Sequence, residues 1–247
     1  AYTAALVLRD VPSFWLALGV AAGVSLIAGI VGGLIANRVH GVYFALITFG
    51  MAQVVAKVVY NTRELGASDG LIGIPILEIP LGFVTLSADN ALGFFLLTLS
   101  IIAILYFVAA YMLTTPFGRV IIALKANEKR VPFLGYSTWW PRMVAYVLAA
   151  IIAGVSGALY PMLRGFVSPE LMFFSMSGNA LIMVIVGGAG TLAGALYGAV
   201  LLTMLKSVMG SMTEHHLIAI GLIFIGAILF LPKGIVGLFK PLVERML

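Results

Sequence analysis

Apolar side chains run almost without interruption along this chain, and the few polar stretches fall between the runs. Crossing a hydrocarbon core of about 30 Å takes about 20 apolar residues in a helix. Residues 11–36, 91–113 and 143–163 contain no Asp, Glu, Lys or Arg, and residues 41–60 contain only Lys57. Transmembrane strands would instead show segments of about ten residues with alternating polarity, which this sequence lacks. The pattern predicts an all-α, polytopic transmembrane fold.

One run is too long for that scheme. Residues 171–205 carry no charge over 35 positions, and as one helix they would measure about 52 Å at about 1.5 Å per residue. The chain is therefore expected to break within "GGAGTLAG", residues 187–194, because glycine weakens a helix interior and permits turns. A short descending piece, a turn from Gly187 through Gly188 to Gly190 and a returning helix would make a broken or re-entrant segment. Gly190, Gly194 and Gly198 recur every four residues, as do Ser25, Gly29 and Gly33; in lipid such small faces let helices pack closely. The last run, residues 217–231, has 15 residues before Pro232 and is expected to start near Ser211.

Composition agrees with the pattern. Of 247 residues, 62% are hydrophobic and 9% charged, with a mean hydropathy of +1.16, well beyond the roughly half-apolar make-up of a soluble domain. Alternating spans put Arg38, Arg119, Lys125, Lys129, Arg130, Arg142, Lys233, Lys240 and Arg245 on one side, and Arg9, Lys57, Arg63, Arg164 and Lys206 near the other. Because cytoplasmic connections carry the excess of Lys and Arg, residues 114–136 and the C-terminus are expected in the cytoplasm. The net charge of +5 is then a consequence of topology and calls for no nucleic-acid partner. No linker or convincing internal repeat divides the chain, so residues 1–247 read as one transmembrane domain. The absence of cysteine excludes disulfides and thiolate metal sites. The chain opens on Ala1 with no signal-peptide pattern, and N-terminal segments are expected to be missing.

Residues 114–136, "TTPFGRVIIALKANEKRVPFLGY", hold five charged side chains. Thr115 can cap a helix with Pro116 at its first position, and Pro132 must end or kink any helix that reaches it. The short helix between them has an apolar strip of Val120, Ile121 and Leu124 and a polar surface of Arg119, Lys125, Glu128 and Lys129. It is either a solvated loop that satisfies charge topology or a docking helix for a cytoplasmic partner.

Enzyme chemistry finds no support. There is no G-x-x-x-x-G-K-[ST] phosphate cradle, and no Ser/His/Asp set or metal-spaced histidine cluster. His215 and His216 are adjacent, so on a helix they point about 100° apart and are poor joint ligands, and an interfacial structural role is expected rather than metal binding. Polar groups inside a bilayer are costly and hence functional candidates. Gln53 and Lys57 are four apart and share a helix face, expected to meet protein rather than lipid. Lys57 can also snorkel outward and pair with Glu64 or Asp69. Asn179 either coordinates a polar substrate group or bonds backbone freed at Gly187. The loop "GASDGLIGIP", residues 66–75, with Ser68, Asp69 and Gly70, is either a gate or a plain turn.

The order of "GVYFALITFGMAQVVAKVVYNTRELGASDGLIGIP", "FGRVIIALKANEKRVPFLGY", "ALIMVIVGGAGTLAGALYGAVLL" and "FLPKGIVGLF" resembles the permease subunits of branched-chain amino acid ABC transporters of the LivM type, over essentially the whole chain. The resemblance implies a permease fold and an importer of hydrophobic amino acids in a bacterial or archaeal cytoplasmic membrane. It implies as partners a second, related permease, two ATPase subunits and an extracytoplasmic binding protein. ATP and Mg would sit in the ATPases, with no cofactor bound by this chain. It makes 114–136 the coupling loop that fits a groove on an ATPase, with Phe117, Gly118, Arg119, Ala123, Asn127, Glu128, Leu134 and Gly135 matching the family's pattern. An acidic residue is usual there in place of Ala126, and small or acidic ones in place of Lys129, Arg130 and Pro132. It makes 66–75 the external gate loop, and the start "AYTAAL" resembles the close of a family segment, as in a member lacking its first segments. Close relatives that handle urea or short amides keep the substrate open. An ion-coupled transporter would need intramembrane carboxylates or ion-coordinating broken helices, and the acids here fall in or near loops.

Overall fold

A computed structural model describes residues 1–75, 78–80, 85–87 and 91–212, together with residues 221 and 234. The expected final span, with His215 and His216, lies outside the described residues, although Ser211 belongs to the preceding helix. Contacts divide the chain into two compact units, residues 1–173 and 174–247.

The first unit holds helices α1 (Tyr2–Asp10), α2 (Phe14–Ala36), α3 (Val42–Asn61), α4 (Ala91–Thr114), α5 (Pro116–Ala126) and α6 (Trp139–Arg164). Each predicted span in this unit forms a helix within a few residues of its expected bounds, and α2, α3, α4 and α6 are long and apolar enough to cross a membrane. The added α1 buries Tyr2, Ala4, Ala5 and Leu8 as a stripe against α2 and α6. These join Phe14, Ala17, Ala21, Leu159 and Met162 in the core.

The most extensive helix–helix contact in this unit is that of α2 with α6, and small residues explain it. A methyl group on Gly29 would stand 2.7 Å from Cβ of Ala150, and one on Gly33 2.7 Å from Sδ of Met143. From the other side, Gly154 lies against Ser25. Between helices in lipid there is no hydrophobic drive to association, so close van der Waals contact of this kind supplies the attraction.

Short strands tie the loops of this unit together. β1 (Leu71–Ile72) pairs antiparallel with β4 (Phe166–Val167), Leu71 facing Val167, and β2 (Glu78–Pro80) pairs with β3 (Thr85–Ser87). The β1–β4 ladder fixes the connection after α3 to the turn that leaves α6.

In the second unit, α7 (Phe174–Gly187) and α8 (Leu192–Met212) form an antiparallel pair, with the chain breaking at Gly187 as the glycine run predicts. α8 is a fifth helix able to cross a membrane, whereas α7 is shorter, about 21 Å at about 1.5 Å per residue. Added methyls on Gly187 and Gly198 would strike the backbone of Gly194 and Met183 respectively, so the helices meet at backbone contact. Gly188 turns with φ of 120°, a conformation that L side chains rarely adopt. The expected small face 190–194–198 is corrected in one member: Gly190 lies in the turn before α8, where an added methyl would meet nothing within 4 Å, so Gly187 takes its place opposite Gly194 and Gly198.

Candidate functional site

The loop 114–136 begins with a built helix start. Oγ1 of Thr115 accepts the Gly118 N–H at 3.2 Å and donates to the Met112 carbonyl at 2.6 Å, with Pro116 next as the first helical residue. At the buried Gly118 a methyl group would enter the backbone of Met112 and Leu113; only glycine lets α5 turn so sharply from α4. Val120, Ile121 and Leu124 are half-buried, as are Phe117 and Ala123, while Arg119 and Lys125 are exposed. α5 packs on α4 and α6.

The helix ends earlier than the position of Pro132 suggests. Asn127 is extended, with φ of −161°, and its Oδ1 accepts the Lys129 N–H at 3.1 Å. An Asn side chain that bonds backbone two residues on competes with helical pairing, so α5 stops at Ala126. Pro132 instead sits in a 3-10 turn, Val131–Leu134, closed by Gly135 at φ of 81°. That turn leaves Phe133 90% and Leu134 70% exposed, an apolar surface that a lone soluble loop would not favour.

Glu128 corrects the expectation that it belongs to an outward polar surface. Its Oε1 accepts Nη1 of Arg142 at 2.6 Å and lies 3.5 Å from Nε2 of His40. Arg142 also donates from Nη2 to the Val39 carbonyl at 3.0 Å and stands 6.0 Å from the Phe44 ring. Beside this clamp, the buried Asn37 donates to the Trp139 carbonyl at 3.1 Å. The end of α2, the start of α3, the start of α6 and the loop after α5 thus meet around a cavity of about 410 Å³ lined by Asn37, Gly41, Phe44, Glu128, Arg142, Ala145 and Tyr146. With Glu128 38% exposed, solvent screening holds the ion pair to about 1 kcal/mol or less, so its consequence is geometric. A push on the loop reaches three spans through Arg142. Sequence reasoning counted Arg142 only for topology; the available signal was that Glu128 is the sole acid between Asp89 and Glu170.

The other candidates are dispersed. Gln53 is half-buried on α3, whose buried side is Ala56 and Val59. Lys57 is exposed on this chain, and its ammonium lies 5.2 Å from the Tyr60 ring centroid. Among the described residues neither Glu64 nor Asp69 pairs with it. Ser68 donates to Asp69 at 3.1 Å. Gly70, at φ of 76°, lies against the backbone of Val167 and Ser168, whereas Gly73, at φ of 80°, has open space around it. Asn179 does not bond backbone at Gly187; its Oδ1 accepts from the Lys206 ammonium at 2.9 Å. Among the described residues no three His, Asp or Glu side chains converge as a metal site requires.

Comparison with known proteins gives this geometry a context. The chain is 29% identical to the high-affinity branched-chain amino acid transport system permease protein LivM of Salmonella typhimurium, over 92% of this chain and 58% of that protein. It is 24% identical to the LivH permease protein of the same organism, over 98% of this chain and 81% of that one. It is also 27% identical to the autoinducer 2 import system permease protein LsrC of Salmonella paratyphi B, over 75% of this chain and 55% of the relative. The chain therefore spans a little over half the length of the LivM relative. No solved structure matches it. The family model described as branched-chain amino acid transport system / permease component matches residues 1–231, and with its multi-pass apolar helices this chain belongs to that family of membrane permeases.

Proposed function

We propose that this chain is half of the translocation pathway of an ATP-driven importer of branched-chain or other hydrophobic amino acids in the cytoplasmic membrane. In this reading it pairs with a second, related permease and receives substrate from an extracytoplasmic binding protein. Two ATPase subunits, which hold ATP and Mg, dock on loop 114–136 and drive alternation between outward and inward access. The observation that carries the reading is the joining of two properties in one loop. It offers exposed Arg119, Lys125, Phe133 and Leu134, the mixed apolar and cationic surface that a protein partner can cover. Through Glu128 it is tied to Arg142 of α6 and, by way of Val39, to the turn between α2 and α3, so a displaced loop moves spans. The names of the LivM and LivH relatives favour branched-chain amino acids. The LsrC relative, named for autoinducer 2 import, marks substrate identity as the element that experiment must fix.

The test is reconstitution of the full permease pair with its ATPases and binding protein in proteoliposomes. ATP-dependent uptake of leucine, outcompeted by isoleucine and valine but not by urea, is the expected result; ATP-independent or ion-gradient-driven uptake sinks the proposal. Orientation is checked in the same preparation. Single cysteines placed by Lys129→Cys and Ser68→Cys in this cysteine-free chain should label from opposite faces, with residue 129 on the ATPase side.

A further inference from the structure

The α7–α8 pair carries a single charged side chain, Lys206, fifteenth of the 21 residues of α8. It lies inside the apolar window that qualifies α8 as a span, where a cation costs about 2.5–3.5 kcal/mol at mid-depth by insertion scales. Lysine near a helix end ordinarily escapes that cost by reaching for the interface. Here the ammonium is half-buried and held across the helix pair by Oδ1 of Asn179 at 2.9 Å. The register is the one the glycines set: Asn179 is eight residues before Gly187 and Lys206 eight residues after Gly198, about 12 Å along the axis from the point of backbone contact.

Two features of this pair matter chemically. The partner is a neutral amide, which does not cancel the charge, and among the described residues no carboxylate pairs with the ammonium. An ammonium has three N–H donors, and Asn179 takes one. A positive charge pre-positioned by an amide that takes one of its three donors is suited to an anionic oxygen group, because charge-assisted bonds are about twice as strong as neutral ones.

We infer that Lys206, oriented by Asn179, binds the α-carboxylate of the transported amino acid as it passes through the permease. This rests on the amino-acid reading of the preceding subsection and adds to it a residue that recognises the one group all such substrates share. Asn179 is then a positioning residue, and Lys206 contributes to affinity for any amino acid irrespective of its side chain.

The test uses the reconstituted full complex and scores leucine uptake per assembled complex. Lys206→Gln keeps a polar amide at this position and removes the charge; it should lower uptake about ten-fold or more, mainly as a raised KM when the pathway is loaded, with assembly unchanged. Lys206→Arg, which keeps the charge, should retain most of the activity. Asn179→Ala should fall between them. Should Lys206→Gln assemble poorly, Lys206→Cys in the assembled complex replaces it: aminoethyl methanethiosulfonate should restore uptake, and a neutral methylthio group should not. Wild-type uptake per complex in Lys206→Gln overturns the inference, as does a loss confined to the amount of complex, which would make the pair a structural clasp. Either result leaves the amino-acid reading intact. Absence of leucine uptake by the wild-type complex would sink both.

Discussion

Loop 114–136 and the α7–α8 pair both handle polarity in this apolar chain, and they do so by opposite means. In the loop, charge is plentiful and the side chain that matters, Glu128, reaches 14 residues along the chain to Arg142. Around it the backbone is released from the helix early, at Asn127, and turned again at Gly135. In the helix pair there is one charge, and glycine allows backbones to touch at Gly187, Gly194 and Gly198. Near water a half-exposed ion pair contributes little energy and serves as a strut. In a hydrocarbon setting packing supplies the attraction and a lone polar pair is expensive to keep. The loop should therefore tolerate weakening of its polar contacts with graded loss of coupling, whereas the helix pair should fail sharply when its packing is breached.

The largest effect is expected in the helix pair. Gly198→Ala places a methyl group in the Met183 carbonyl, a backbone obstacle that cannot rotate away, and the cost should be about 3 kcal/mol or more, beyond ordinary overpacking. Gly190→Ala, in the turn with nothing within 4 Å of the new atom, should be neutral. Yield and thermal stability of detergent-extracted protein measure both. Equal behaviour of the two variants would remove the distinction between packed and turn glycines on which the contrast depends.

An intermediate effect is expected at the strut. Glu128→Arg and Arg142→Glu should each lower ATP-driven uptake several-fold while leaving ATPase recruitment largely in place, since the clamp joins elements of this chain to one another. The double exchange should recover a substantial part of the loss, with a coupling energy of about 1 kcal/mol for a half-exposed pair. If the double variant is no better than the worse single one, Glu128 acts on a partner's surface and not through Arg142.

How far the sequence reached differs between the two regions for physical reasons. The spans were legible because a hydrocarbon core demands length and apolarity of every helix that crosses it. The break at Gly187 was legible because 35 uncharged residues exceed that length. The α5 start was legible because Thr115 and Pro116 act on their own neighbours. The Glu128–Arg142 clamp was hidden, since side-chain pairing between separate elements leaves no periodic trace. So was the Lys206–Asn179 bond, because a single lysine near a helix end is ordinarily an anchor at the interface. The end of α5 is set locally, by the Asn127 side chain, which stops the helix five residues before Pro132.

The smallest effect concerns the cap, and it shows how much of the loop's form is local. Thr115 bonds both ways at the α4–α5 corner, accepting from Gly118 and donating to Met112. Thr115→Ala loses both bonds and should cost about 1 kcal/mol, the usual value for a lost N-cap. Thr115→Ser keeps the hydroxyl and should match the wild type. Gly118→Ala, by contrast, meets the backbone of Met112 and Leu113 and should cost more than either. If α5 is shaped chiefly by its fit against the end of α4, the thermal stability of the assembled complex will fall in the order Ser, Ala at 115, Ala at 118, with ATPase recruitment retained in the first two. A Thr115→Ala variant that loses recruitment altogether would mean that the cap itself, and not the glycine contact, holds the docking surface in shape, and the loop would then be the more fragile of the two regions.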